Sequence, residues 1–300
     1  MQNSSIEWTD HTFNPWWGCI KVSPGCEHCY AETLAKRYGH AVWGTAKTTS
    51  RRMMSENYWR QPIKWDRLAE VSGRKRVFCA SMADVFEDHP QVVEARARLF
   101  GLISQTPNLD WLLLTKRPEN FHAMLPADWR GEPPANLWLG TSVENQEQAE
   151  RRIPYLLDWP SKVRFLSCEP LLGTVDISGW LKFGEFTPYG PRPLHWVICG
   201  GESGPGARPM HPDWARSLRD QCEAAGVAFH FKQWGEHAPV NGDTPMPCGN
   251  AHQLMRGVRR DGSTLTANDT IDQASTWMWR AGKHRSGRLL DGREWNELPQ

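Results

Sequence analysis

The 300-residue chain lacks long apolar runs and internal repeats, and it has almost no net charge. No stretch approaches the ~20 apolar residues of a membrane-spanning helix, so no membrane association is expected. Thirty-five Lys and Arg stand against 34 Asp and Glu, a formal charge of +1. Such a balance supplies no global field toward nucleic acid or anionic lipid and leaves only local patches. The opening residues, Met1-Gln-Asn-Ser-Ser-Ile-Glu-Trp8, have neither a basic segment nor an apolar one. No secretory leader is therefore expected, and a cytoplasmic location is inferred. The chain does contain 8 Cys and 17 Trp. In a reducing compartment, clustered Cys point to metal or redox chemistry before disulfides. Trp is large and amphipathic, and it serves cores and stacking surfaces alike.

Short apolar runs recur at Arg76–Ser81, Asp110–Thr115, Asn136–Ser142, Lys162–Cys168, His195–Gly201 and Val227–Gln233. Near-continuous runs of this length suit parallel strands buried on both faces. An earlier strand around Phe13–Gly18 brings the series to about seven. Helical spacing separates several of the runs, at Gln91–Ser104, Gln146–Leu157 and Pro212–Ala225. The last of these opens on Pro212 and stops before Gly226, as helix-end chemistry prefers. Strand and helix in alternation predict an α/β fold with a parallel sheet and right-handed crossovers. Residues 1–235 are expected to form a full or partial β/α barrel of the TIM type, with a doubly wound open sheet as the alternative. Residues 236–300 are rich in Gly, Asn, Asp, Thr and Pro and read as a C-terminal appendage or lid. Short strands are predicted there at Leu254–Arg260 and Thr276–Arg280.

Each apolar run ends in small or polar residues. These are Ser81-Met-Ala-Asp84, Thr115-Lys116-Arg117, Thr141-Ser142-Val-Glu144-Asn145, Ser167-Cys-Glu169, Gly200-Gly201-Glu202 and Lys232-Gln233-Trp234. In parallel β/α folds the ligand site lies at the C-terminal strand ends, so these groups are expected to face one mouth. Solvation of loops explains one such end readily and a whole series of them less well.

The sharpest local signal is Asn14-Pro-Trp-Trp-Gly-Cys19-Ile-Lys-Val-Ser-Pro-Gly-Cys26-Glu-His-Cys29-Tyr-Ala-Glu32, a C-x6-C-x2-C spacing. Gly18, Pro24 and Gly25 allow the backbone to wrap closely around a bound object. Three thiolates can hold three corners of a 4Fe–4S cluster and leave one iron open. Zinc is the alternative, with His28 or His11 as a fourth ligand. The bland alternative is three free thiols with no metal.

Cys26-Glu-His-Cys29-Tyr-Ala resembles the second half of the cluster loop of radical S-adenosylmethionine (SAM) enzymes, which carry it after the first strand of a partial β/α barrel. The first interval differs, x6 here against the usual x3. Most of the chain resembles a bacteriophage-type three-Cys-motif family of unknown function, described as radical SAM-like. That resemblance rests on Ile6–Cys19, Leu114–Pro118, Leu139–Asn145, Phe165–Leu172, Gly200–Pro209, Phe231–Gly235 and Gly287–Trp295.

The resemblance implies that Cys19, Cys26 and Cys29 ligate a 4Fe–4S cluster whose open iron takes SAM. It further implies that Ser81, Asp84, Thr141, Ser142, Glu144, Asn145, Gly200, Gly201 and Glu202 hold the rest of SAM, the glycines letting adenine approach the backbone. One electron from the cluster then cleaves SAM, and the 5′-deoxyadenosyl radical abstracts hydrogen from a substrate, of which nucleic acid or a nucleotide is one class. The implied partners are an electron donor such as flavodoxin or ferredoxin and a three-Cys-motif protein. Lys116, Arg117, Arg208 and Lys232, with Glu169 and Gln233, are the substrate candidates. Trp16, Trp17, Trp138 and Trp234 serve either to stack a base or to fill the core.

Two other classes compete. Arg256–Arg293 carries eight Lys and Arg against four Asp, an excess that suits a non-catalytic, metal-stabilised nucleic-acid-binding protein. A barrel hydrolase using Glu144, Glu169 or Glu202 as acid and base would leave the three cysteines idle.

Overall fold

The apolar runs become strands because both of their faces are covered. The computed structural model describes residues 4–181, 193–240, 242–243, 255–265 and 275–299. Its strands are β1 (His11–Thr12), β2 (Trp16–Trp17), β3 (Arg52–Met53), β4 (Lys75–Cys79), β5 (Leu109–Thr115), β6 (Leu137–Ser142), β7 (Val163–Cys168), β8 (Trp196–Gly200) and β9 (Ala228–Gln233). Every residue of β6, β7 and β8 is buried. Seven strands make one sheet in the order β1-β4-β5-β6-β7-β8-β9, and β1/β4, β4/β5, β5/β6 and β8/β9 pair in parallel. Strand order follows chain order, as in a β/α series. The sheet runs from β1 to β9 as a seven-stranded half-barrel, the partial form of the expected β/α barrel.

The first strand differs from its predicted place. β1 stops at Thr12, and Trp16–Trp17 pairs antiparallel with Arg52–Met53 instead. Pro15 has no N–H for a ladder. Asn14 turns its side chain to the segment after β4, accepting from the Met82 amide at 2.8 Å and donating to Ser81 Oγ at 3.1 Å. The helices form where periodicity predicts them, at Val93–Gln105, Gln146–Asp158 and Pro212–Ala225. Gly226 caps the last with φ +68°, a left-handed conformation that glycine takes without strain.

The chain divides into two compact units, one of residues 1–141 and 152–165, the other of 142–151 and 166–300. Within the first unit Gly140 faces the Phe165 ring so closely that an added Cβ would lie 2.3 Å from it. The second unit contains a four-stranded antiparallel sheet of β10 (His237–Pro239), β11 (Met255–Arg259), β12 (Thr264–Leu265) and β13 (Ser275–Arg280), in the order β10-β13-β11-β12. Two of these strands answer the short strands expected in residues 236–300. Cys248 lies outside the described residues. A hairpin of Leu289–Leu290 and Arg293–Glu294 turns at Asp291 (φ 55°) and Gly292 (φ 75°), a pair suited to two positive φ angles. Its exit strand runs along β9, where the Phe231 amide donates to the Trp295 carbonyl at 2.9 Å.

Two outcomes follow from this packing. Gly140→Ala is expected to cost about 1–3 kcal/mol by overpacking Phe165, read as a lower midpoint in urea unfolding. His237 is buried, and burial pushes its pKa down from 6.5 to about 4, with Arg280 acting in the same direction. From pH 6.5 down to about 4 the unfolded chain takes up a proton that the folded chain refuses. Stability is therefore expected to fall across that window by on the order of 3 kcal/mol, and His237→Gln should flatten the fall.

Candidate functional site

The cysteine loop leaves the sheet after β1 and is gripped by the segment that follows β4. The Gly18 amide donates to the Met82 carbonyl at 3.0 Å, and the Tyr30 hydroxyl donates to the Ser81 carbonyl at 2.8 Å. Gly18 has φ +119°, and an added Cβ there would lie 2.4 Å from the Val42 carbonyl oxygen. Cys26 sits in a short 3-10 turn, and Cys29 immediately precedes the helix Tyr30–Arg37. Cys19, Cys26 and Cys29 are half-buried and free of disulfides, whereas Cys79, Cys168, Cys199 and Cys222 are buried.

Two buried ion pairs frame the loop. Asp84 accepts from Thr115 Oγ1 (2.7 Å), the Phe86 amide (3.0 Å), the Lys116 amide (3.1 Å) and Arg117 Nη1 (2.8 Å). Burial opposes its charge, but Arg117 and these donors prevail and hold the carboxyl below the usual range. Arg117 in turn donates to the Ile20 carbonyl at 2.6 Å and approaches Cys19 Sγ at 3.6 Å. Burial still pushes the Cys19 thiol up to about 12, against the opposite pull of Arg117. Glu87 receives both Arg51 Nε (2.8 Å) and Nη2 (2.7 Å). Arg51 also donates to the carbonyls of Val42 (3.0 Å) and Gly44 (2.7 Å), and the Gly44 amide donates to the Cys19 carbonyl at 3.0 Å.

The donor set fits a thiolate-held metal group in kind: three half-buried thiols on one loop, one of them beside a fixed cation. Among the described residues, no three His, Cys, Asp or Glu side chains stand gathered as a metal site. The Cys19 thiol donates to the Ile20 carbonyl, and the Cys26 sulfur faces Ser23 Oγ. His11, weighed as a fourth zinc ligand, lies in β1 and stacks on Trp65 with ring centroids 4.5 Å apart.

The remaining strand-end residues fall into two sets, one in each unit. In the first, Ser81 bonds Asn14, Asp84 holds Arg117, and Thr141 donates to the Thr115 carbonyl at 3.0 Å. In the second, Asn145 caps the helix Gln146–Asp158 by accepting from the Gln148 amide at 3.0 Å, while Ser142 and Glu144 are buried. Glu202 takes two bonds from the Arg208 guanidinium, at 2.9 and 2.5 Å. Lys232 Nζ lies 2.8 Å from both oxygens of Glu169, and Gln233 Nε2 reaches Glu169 Oε1 at 3.2 Å and the Gly201 carbonyl at 3.1 Å. Gly201 is small because an added Cβ would meet the Trp234 carbonyl oxygen at 2.0 Å, and Gly200 faces the Glu169 side chain. The bareness of Gly201 thus serves packing within the fold.

A family profile described as a protein of unknown function, DUF5131, matches residues 3–299. The chain belongs to the DUF5131 family. No curated protein matches it in sequence. Among solved structures, the DUF5131 chain is similar to mutant forms of spore photoproduct lyase. One, with bound AdoMet and dinucleoside spore photoproduct, shares 11% identity at a TM-score of 0.45, over 91% of this chain and 69% of that one. A second shares 12% identity at a TM-score of 0.43, over 82% of this chain and 71% of that one.

Arg51 and Glu87 went unnoticed in the sequence, and Asn14 opened the cysteine motif but had no assigned role. Only Asn14, next to Pro15 and the cysteine motif, carried a local signal. Trp16, Trp138 and Trp234 are buried, which favours core packing, and Trp17 is half-buried. In the basic stretch Arg256–Arg293, ion pairs engage Arg260, Arg280, Arg288 and Arg293. Of the three carboxylates that the hydrolase reading would use, Glu169 and Glu202 are paired with cations and Glu144 is buried.

Arg51→Ala would leave the Glu87 carboxylate buried and unpaired, a loss of about 3–5 kcal/mol. Denaturant unfolding should show that loss, and Arg51→Met with Glu87→Leu should recover most of it.

Proposed function

We propose that this chain is an enzyme of the radical SAM kind, in which Cys19, Cys26 and Cys29 hold three irons of a 4Fe–4S cluster. The carrying observation is the separation of the cysteines. Three half-buried thiols share the loop after the first sheet strand, and the other described cysteines are buried. Thiolates on one loop, with an iron left without a protein ligand, are the chemistry such a cluster requires. When bound, the cluster would supply the electron that cleaves SAM. A one-electron donor such as ferredoxin or flavodoxin is then required.

The chain's own residues bind and orient. Glu169, Lys232 and Gln233 form a polar end to β7 and β9 in the second unit, where an anionic substrate group would compete with Glu169 for Lys232. Glu202 and Arg208 brace the adjoining turn, the Arg208 amide donating to Glu202 at 2.8 Å.

Anaerobic purification with iron and sulfide is expected to give a brown protein carrying about four iron per chain. Incubation with SAM and a strong reductant should release 5′-deoxyadenosine, and Cys26→Ala should abolish both results. A colourless chain with stoichiometric zinc would overturn the proposal.

A further inference from the structure

We infer that Arg117 is a positioning residue for Cys19 and not a cation that meets substrate. The inference rests on the cluster reading above for its redox arm only. Arg117 is 6% exposed, as is its partner Asp84, so a substrate anion would have to enter the protein to reach it. One guanidinium makes three contacts around the loop: Asp84 Oδ2 at 2.8 Å, the Ile20 carbonyl at 2.6 Å and Cys19 Sγ at 3.6 Å. The Arg117 amide also donates to Thr115 Oγ1 at 2.9 Å, and that hydroxyl donates to Asp84 at 2.7 Å. The end of β5 and the segment after β4 therefore fix the guanidinium before any metal arrives.

A planar fork suits this task. Arg can bond a carboxylate and a carbonyl while presenting charge to a sulfur, whereas Lys offers a single ammonium point. Placed in a low-dielectric setting, the cation in contact with the sulfur favours negative charge on it and on anything it ligates, while Asp84 and Glu87 oppose that charge. Neither Cys26 nor Cys29 has a guanidinium contact among the described residues. Arg117 thus makes Cys19 electrostatically distinct from the other two.

Three variants test this: Arg117→Lys, Arg117→Gln, and Asp84→Asn with Arg117→Gln, which removes both buried charges together should the single Gln variant fail to fold. The iron-loaded protein is titrated with reductant and followed by paramagnetic resonance. In Arg117→Gln the reduced-to-oxidised ratio at a fixed poise is expected to fall about tenfold, equivalent to about 59 mV for a one-electron couple. Arg117→Lys should recover most of the potential shift, which charge sets, but not the slow exchange of the residue 18–22 amides, which needs the fork to hold Asp84 and the Ile20 carbonyl together. In the metal-free chain, backbone amides of residues 18–22 should exchange with deuterium about tenfold faster in Arg117→Gln, while β5 amides stay unchanged. An unaltered potential together with unaltered exchange overturns the inference. If the wild-type chain takes up no iron, the cluster reading falls and the exchange arm decides alone: selective acceleration at residues 18–22 supports the positioning role, and equal exchange overturns it.

Discussion

Two carboxylates on one short segment, Asp84 and Glu87, are buried just beyond the end of β4. A carboxylate taken out of water must find a cation or a set of donors, and here each finds an arginine. That requirement brings Arg117 from the end of β5 and Arg51 from the chain ahead of β3, and both then touch the cysteine loop or its neighbours. Arg117 holds Ile20 and Cys19, while Arg51 holds Val42 and Gly44, whose amide bonds the Cys19 carbonyl. The loop's own regular hydrogen bonding includes the short 3-10 turn at Pro24–Cys26. The two arginines and the bonds to the Met82 and Ser81 carbonyls hold the loop from outside, and Gly18 is the point where the backbone passes too close to Val42 for a side chain.

The second unit repeats the principle with pairs that solvent reaches in part. Glu169 and Lys232 are each about one-fifth exposed, and Glu202 and Arg208 are 4% and 28% exposed. The contrast with the buried pairs divides the labour. Pairs that are sealed hold backbone in place, and a pair open to solvent can exchange partners with a ligand at modest cost. On this ground the two cations differ, although both end a strand: Arg117 is sealed against Asp84, and Lys232 meets Glu169 where solvent reaches both.

The strands and long helices were legible because hydrophobic length and periodicity are local properties. Six runs became sheet strands with ends shifted by one or two residues, and Pro212–Ala225 formed where Pro and Gly bracketed it. The first strand was misread because Pro15 and the side chain of Asn14 redirect the chain at a point where apolar residues continue. The cysteine loop was legible from spacing. The partners of its cations were not, since Arg117 and Asp84 lie 33 residues apart and Arg51 and Glu87 lie 36 apart. Gly200 and Gly201 carried a signal for close approach, but the sequence did not reveal that the Trp234 carbonyl crowds Gly201 and the Glu169 side chain lies beside Gly200. Asn145 likewise shows how a polar strand end can be consumed by the fold, here as a helix cap.

The central claim is that three cysteines of one loop hold a cluster with one iron left for a small molecule. Mössbauer spectroscopy of the chain loaded with iron-57, recorded before and after adding SAM, tests it most directly. Three thiolate ligands predict one iron site in about four that changes on adding SAM while the others stay as they were. A spectrum with no site that responds to SAM, or a chain that binds no iron, would contradict the claim.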